Sequence, residues 1–172
     1  DQMARNGRRF DVVALFGMIL YISWRFEFGF SVGAVVALLH DVLVTVGLFC
    51  VLDRQLSITS IAALLTIVGY SVNDTIVIFD RIREDLKLYR GKSFREIANI
   101  GINQTLSRTV LTTLTTLFTV VSLLIFGGGA IYDFALALFI GMIAGTYSTI
   151  FIATPVAMIW HPEKKIRAQA DA

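Results

Sequence analysis

Five apolar runs dominate the sequence, and their length constrains the fold more than any other feature. A helix needs about 20 mostly apolar residues to cross a membrane, because the hydrocarbon layer is roughly 30 Å thick and each residue adds about 1.5 Å. The runs cover residues 10–24, 28–52, 56–79, 109–126 and 134–160. The sequence therefore predicts an all-α protein, a polytopic transmembrane helix bundle of about five spans.

Two of these runs have irregular ends. Asp11 and Arg25 flank the first and shortest run, so we expect its basic neighbours to extend toward the membrane surface. Pro155 interrupts the last run, and a proline lacks the N–H that an α-helix requires. We therefore expect the last helix to kink or end near Pro155, with Trp160 as an anchor at the membrane interface.

The composition excludes several classes of function. The 172 residues are 56% hydrophobic and 16% charged, which is too apolar for a water-soluble domain of this size. A net charge of +2 gives no reason to expect nucleic acid. The single cysteine, Cys50, has no partner for a disulfide or a thiolate metal site. His40 and His161 stand apart, and no P-loop or nucleophile with a base is present, so we expect no enzyme activity, cofactor or metal.

The distribution of lysine and arginine predicts the orientation in the membrane. With five spans, one side carries 11 of these residues and the other side carries 4. The richer side includes Arg25, the segment 80–108 and the C-terminal tail, and by the positive-inside rule it is cytoplasmic. The C-terminus is then cytoplasmic and the N-terminal polar stretch external, which we expect if an external segment precedes residue 1.

The segment 80–108 is the longest polar stretch and is expected to be a cytoplasmic loop. Within it, Ser93 and Glu96 have the S-x-x-E spacing of a capping box, which predicts the start of a short helix. One face of that helix would be partly apolar and suited to the membrane surface or a partner, through Phe94, Ile97, Ile100 and Leu106. A solvated connector is the alternative.

Two aspartates lie inside predicted spans, where an ionisable group costs about 2.5–3.5 kcal/mol on insertion scales. Asp74 is in the third run, and Asp41, preceded by His40, is near the middle of the second. At helical spacing Ser71, Asp74, Thr75 and Ile78 share one face, so the polar atoms would point into the bundle.

Arg108 directly precedes the fourth run and heads a row of hydroxyls at helical spacing, Thr112, Thr115, Thr116 and Thr119. Such rows are also common in plain helix packing. Asp74 lies about 9 Å below the cytoplasmic end of its span, the side from which Arg108 enters, so the two side chains would be at a similar depth. They would form either a proton switch or a static ion pair. A ridge of small residues in the last run, Ala137, Gly141, Gly145 and Thr149, is interpreted as packing.

Three stretches of the sequence carry a family resemblance. Gly69 to Glu84 reads GYSVNDTIVIFDRIRE, Phe26 to Val42 reads FEFGFSVGAVVALLHDV, and Asn103 to Leu117 reads NQTLSRTVLTTLTTL. The first strongly resembles the signature of the SecF family, the smaller partner of SecD in the bacterial SecDF complex. SecD has the aspartate and asparagine in the opposite order, so Asn73 followed by Asp74 favours SecF.

The resemblance implies one half of a pseudo-symmetric membrane domain of the RND-like superfamily, in the bacterial inner membrane. The family has six spans per half and a periplasmic domain after the first, so the first helix and that domain are expected to be missing here. It also implies a role in late preprotein translocation through SecYEG, driven by the proton-motive force. The implied partners are SecD, SecYEG with YajC and YidC, preproteins, lipid and protons.

By the same resemblance, Asp74 and Arg108 match family residues implicated in proton transport, and we expect Ser71, Asn73, Thr75, Thr112 and Asp41 to form a supporting polar face. A passive scaffold of the translocon and an RND-type exporter subunit are the alternatives.

Overall fold

The computed structural model describes residues 28–89 and 91–160, which form long helices joined by short turns. Within these ranges, four helical stretches are long and apolar enough to cross a membrane. They are α1 (Phe28–Val51), α2 (Ile58–Leu88), α3 (Phe94–Phe126) and a last span that starts with α4 (Ala130–Ser148). The predicted helix bundle is confirmed, whereas the predicted span at 10–24 lies outside the described residues.

The last span changes its helical type before Pro155. A π-helical segment, Thr149–Ala153, follows α4, and α5 (Thr154–Ile159) completes the span. Pro155 lies in the first turn of α5, where its missing N–H costs least. The expected irregularity is therefore present, but it is a wide helical turn and the helix continues beyond the proline. The helix ends before Trp160, whose ring packs edge-on against Phe28 with centroids 6.0 Å apart.

Most of segment 80–108 is helical, which differs from the expected loop with a short helix. α2 continues to Leu88 and α3 runs from its N-cap Ser93 directly into the fourth predicted span. Polarity does not end α2, because Arg81 pairs along the helix with Glu84 at 2.7 Å and Asp85 at 3.5 Å. The turn comes instead at Gly91, whose φ of +89° favours glycine.

The predicted capping box at the start of α3 is confirmed. The Ser93 hydroxyl accepts a hydrogen bond from the Glu96 N–H at 3.3 Å, and the Glu96 carboxylate accepts one from the Ser93 N–H at 3.0 Å. These bonds satisfy two backbone donors that a helix end leaves free. α3 therefore begins at the residue where the sequence places a helix start.

Two apolar clusters form the core of the bundle. The first contains Phe30, Phe79 and Phe94, with the ring of Phe30 5.0 Å from that of Phe79 and 6.1 Å from that of Phe94. The second contains Phe49 and Met142 with smaller side chains around them. Between the clusters, α1, α2 and the last span bury a set of polar side chains, here named the polar layer: Asp41, Thr45, Ser71, Asp74, Thr75, Ser148 and Thr149.

Small residues bring the backbones close beside this layer. Gly141 faces the side chain of Ile67, and Gly145 faces Asp41 and Ser71. Gly33 of α1 lies against the backbone of Ala153 in the π-helical segment. The ridge in the last span is thus a packing surface, as expected, and it also lets α1 and α2 approach the last span at the level of the polar layer.

Candidate functional site

Asp74 is the central ionisable residue of the polar layer. It lies on α2 with only 5% of its surface exposed, and it shares a buried face with Ser71, Thr75 and Ile78, as the helical spacing predicted. Its Oδ2 atom is buried and has no hydrogen-bond partner among the described residues. A buried carboxyl oxygen without a donor strongly disfavours the charged form unless a proton or a counter-charge arrives.

Arg108 is the counter-charge that the sequence predicts for Asp74. It lies on α3 and is exposed. No ion pair links the two side chains in the part of the chain that the structure describes. The static ion pair between Asp74 and Arg108 is therefore not formed in this structure, and the Arg108 side chain is exposed.

Asp41 is completely buried and holds α1 against α2. The Ser71 hydroxyl donates a hydrogen bond of 2.6 Å to Asp41 Oδ2, and His40 Nδ1 lies 3.1 Å from Asp41 Oδ1. The Thr45 hydroxyl donates to the backbone carbonyl of Asp41 at 2.7 Å. Both carboxyl oxygens of Asp41 thus have partners, in contrast to Asp74.

Thr75 connects α2 to the last span. Its hydroxyl lies 3.2 Å from the hydroxyl of Thr149, the first residue of the π-helical segment. Each hydroxyl also reaches a carbonyl of its own helix, Thr75 that of Ser71 at 2.9 Å and Thr149 that of Gly145 at 2.8 Å. The polar layer therefore joins three helices through side-chain contacts.

Two residues of the predicted polar face lie elsewhere. Asn73 and Thr112 are both exposed. Asn73 is one residue from Asp74, and neighbouring residues on a helix point about 100° apart. The Thr112 hydroxyl donates to carbonyls of its own helix, those of Arg108 and Thr109, both at 3.0 Å. The rest of the predicted hydroxyl row is exposed and bonded to its own helix in the same way, through Thr115, Thr116 and Thr119.

Sequence reasoning missed the roles of His40 and Thr149 in this site. The sequence predicts that His40 stands apart, but His40 contacts Asp41, and 32% of its side chain is exposed while Asp41 is buried. The sequence predicts only packing for Thr149, because its hydroxyl partner is far away in the sequence. The signal that would have found Thr149 is its position just before Pro155, where a helix departs from α geometry and polar groups gather.

The side chains of the polar layer are hydrogen-bond donors and acceptors. Within residues 28–89 and 91–160, no three histidine, cysteine, aspartate or glutamate side chains come together as a metal site would require. The layer instead offers carboxyl, imidazole and hydroxyl groups at hydrogen-bond distance. Such groups bind, hold and release protons.

The chain is similar in sequence and structure to known protein-export membrane proteins. Residues 1–163 match the family model of the protein export membrane protein SecD/SecF, C-terminal. The chain is 47% identical to the protein translocase subunit SecF of Koribacter versatilis over 98% of its own length. It is 51% identical to SecF of Rhodothermus marinus over 92% of its length. The crystal structure of SecDF from Thermus thermophilus, described as a translocon-associated membrane protein, matches 92% of the chain with 47% identity and a TM-score of 0.87.

The chain is considerably shorter than these relatives. It spans 42% of the Koribacter protein, 52% of the Rhodothermus protein and 22% of the Thermus chain. The similarity therefore covers only part of the length of each relative.

Proposed function

Because the chain belongs to the SecD/SecF C-terminal family of protein export membrane proteins, we propose that it is the SecF membrane part of a SecDF-type translocase. In this role it uses the proton-motive force to assist late steps of preprotein translocation through SecYEG in the bacterial inner membrane. The Koribacter and Rhodothermus relatives bear the name protein translocase subunit SecF, which supports the assignment to protein transport.

One observation carries the proton-coupling proposal: Asp74 is a buried carboxyl group with an unpaired oxygen inside a membrane-spanning helix. An ionisable residue in such a position is costly and is usually retained for function. Because Asp74 lacks a fixed partner, gain or loss of a proton changes the charge of the polar layer without first breaking a hydrogen bond. This change in charge favours a rearrangement of the surrounding helices.

The available energy is sufficient for such a rearrangement. Moving one elementary charge through a potential of about 100 mV is worth about 2.3 kcal/mol. A two-state helix arrangement whose states differ by a few kcal/mol is biased strongly by that amount. A single proton that crosses this potential therefore biases the equilibrium between two such states, although a complete switch needs about 5.5 kcal/mol.

The test is the variant Asp74→Asn in the complete translocase complex. Asparagine keeps the size and much of the hydrogen bonding but does not titrate. Preprotein export into inverted membrane vesicles is measured with and without a proton gradient, with Asp53→Asn in the exposed external turn as the matched control. We expect Asp74→Asn to assemble normally and to lose the stimulation by the gradient, while Asp53→Asn keeps it.

A passive scaffold makes the opposite prediction. If the Asp74→Asn complex assembles and still responds fully to the gradient, the coupling role of Asp74 is wrong and a scaffold function remains. Arg108→Lys is the companion variant, because lysine keeps the charge and loses the planar fork of the guanidinium. We expect a partial loss of the gradient response from that change.

The exposed row of hydroxyl groups on α3 supports the proposal that another protein packs against this helix in the membrane. Only 11% of the residues in the apolar 18-residue stretch of α3 are buried in the described bundle. Hydroxyl groups line the exposed surface of this helix from Thr112 to Thr119. We expect the SecD part of the complex to cover this face. Cysteine at Thr116 should crosslink to SecD, whereas cysteine at Leu65, an exposed apolar position on α2, serves as the comparison. Crosslinks from position 116 to lipid alone would contradict this arrangement.

A further inference from the structure

Two interhelical contacts lie immediately on either side of Asp74 on α2. Ser71, three residues before it, donates to Asp41 of α1 at 2.6 Å, and Thr75, one residue after it, contacts Thr149 of the last span at 3.2 Å. Ser71 and Thr75 are four residues apart and lie on one side of α2, and Asp74 lies on that side because it is three residues from Ser71. The rotation of α2 about its axis is therefore fixed from two directions at the level of Asp74.

The rotation of α2 decides where the Asp74 carboxyl lies. Asn73, the preceding residue, is exposed, while Ser71, Asp74 and Thr75 are buried. A rotation of α2 by about 100° would exchange the positions of neighbouring side chains. The contacts of Ser71 and Thr75 hold α2 in the observed rotation at the level of Asp74, together with the apolar core residues of the same helix.

We propose that Asp41 and Thr149 are positioning residues that hold α2 in the rotation that buries Asp74, so that breaking their contacts releases Asp74 toward the opposite side. This inference rests on the proposed proton-coupling function of Asp74. Neither residue touches the Asp74 carboxyl in the described structure, and each acts through the residue it contacts on α2.

The Ser71–Asp41 contact is stronger than the Thr75–Thr149 contact, so one of them can open while the other stays closed. The Asp41 contact is short, and the second oxygen of Asp41 is occupied by His40, so this carboxyl group is fixed on both sides. At the other contact, both hydroxyls also reach carbonyls of their own helices. A hydroxyl has one proton, so one threonine gives up its backbone bond when it donates to the other. The Thr75–Thr149 contact is thus the more easily broken of the two.

The position of Thr149 in the π-helical segment adds a structural reason for release. A π turn has a wider hydrogen-bond ring than an α turn, and such turns are frequent at functional sites. A change of this segment to α geometry would move Thr149 relative to α2 and so open the contact.

The experiment uses the complete translocase complex and measures gradient-dependent and gradient-independent export separately. Ser71→Ala and Thr149→Val each remove one contact with little change in volume. Ser122→Ala is the matched control, because the exposed Ser122 hydroxyl bonds only to the Phe118 carbonyl of its own helix, at 2.9 Å. Thr149→Ser is the rescue variant for Thr149→Val, because serine keeps the hydroxyl group in place.

We expect the gradient-dependent part of export to fall about threefold to tenfold in Ser71→Ala, in line with the strength of one interhelical hydrogen bond. Thr149→Val should cause a smaller fall, and Thr149→Ser and Ser122→Ala should remain within about twofold of the unaltered protein. Gradient-independent export and assembly should not change in any of them.

Double variants separate positioning from simple stability. In an Asp74→Asn background, Ser71→Ala should cause no further loss, because it acts through Asp74. A further loss there, or reduced assembly in Ser71→Ala alone, would show a structural role and overturn the inference. If Ser71→Ala keeps the full gradient response while Asp74→Asn loses it, the positioning role is wrong and the proposed function stands. If Asp74→Asn itself keeps the response, the proposed function fails first.

Discussion

The closest backbone approach beside the polar layer predicts a strong effect of a single methyl group. A Cβ added at Gly33 of α1 would lie less than 3.0 Å from the carbonyl oxygen of Ala153, closer than real Cβ atoms come to another atom. The neighbour is backbone in the π-helical segment, so it cannot move aside as a flexible side chain would. Gly33→Ala therefore forces α1 and the last span apart.

The magnitude follows from two opposing terms. Overpacking a tight contact costs about 1–3 kcal/mol, whereas alanine favours a helix over glycine by up to about 1 kcal/mol. Gly47 lies in the same helix, and a Cβ there would have nothing within 4 Å. Gly47→Ala therefore gains the helix propensity of alanine without any overpacking cost. The helix term cancels between the two variants, and we expect Gly33→Ala to be about 1–3 kcal/mol less stable than Gly47→Ala.

The assay is reversible unfolding of the purified membrane protein by SDS in mixed micelles, followed by circular dichroism. Gly33→Ala should unfold at a lower SDS fraction than the unaltered protein, and Gly47→Ala at an equal or higher one. If Gly33→Ala proved as stable as Gly47→Ala, the close packing of α1 on the π-helical segment would be refuted.

Three further predictions concern the ends of the helices. Ser93→Ala removes the capping box, costs about 1 kcal/mol, and should speed hydrogen exchange of the first turn of α3 about fivefold; unchanged exchange would contradict it. Arg54→Gln removes an ion pair with Asp133 at 3.3 Å, and because both side chains are partly exposed the loss in unfolding free energy should stay below about 1 kcal/mol. A tag inserted after Lys92, in the turn between α2 and α3, should be reachable from the cytoplasm only, and external labelling would reverse the expected orientation.

The sequence was sufficient to predict the features that depend on local spacing. The apolar runs predicted the membrane helices, Ser93 with Glu96 predicted the start of α3, and the spacing of Ser71, Asp74 and Thr75 predicted one buried polar face. Each of these depends on residues within a few turns of one another. Helical periodicity and end capping act over that range.

Features that depend on how helices meet could not be read from the sequence. The contact between Thr75 and Thr149 requires the π-helical segment and the packing of two spans, and neither leaves a periodic signal. The same holds for Arg108, whose direction depends on the rotation of α3 in the bundle. Segment 80–108 was misjudged for another reason: polar composition suggested a loop, while charge pairs along α2 keep it helical.

The π-helical segment also predicts where the last span of a relative can be one residue shorter. A π turn amounts to one residue inserted into an α-helix, with the helix resuming its register on either side. Deleting one residue between Thr149 and Ala153 would therefore leave a plain α-helical turn and keep α4 and α5 on the faces they now present. A relative one residue shorter at this point would preserve the bundle, and its alignment gap belongs inside this segment, before Pro155.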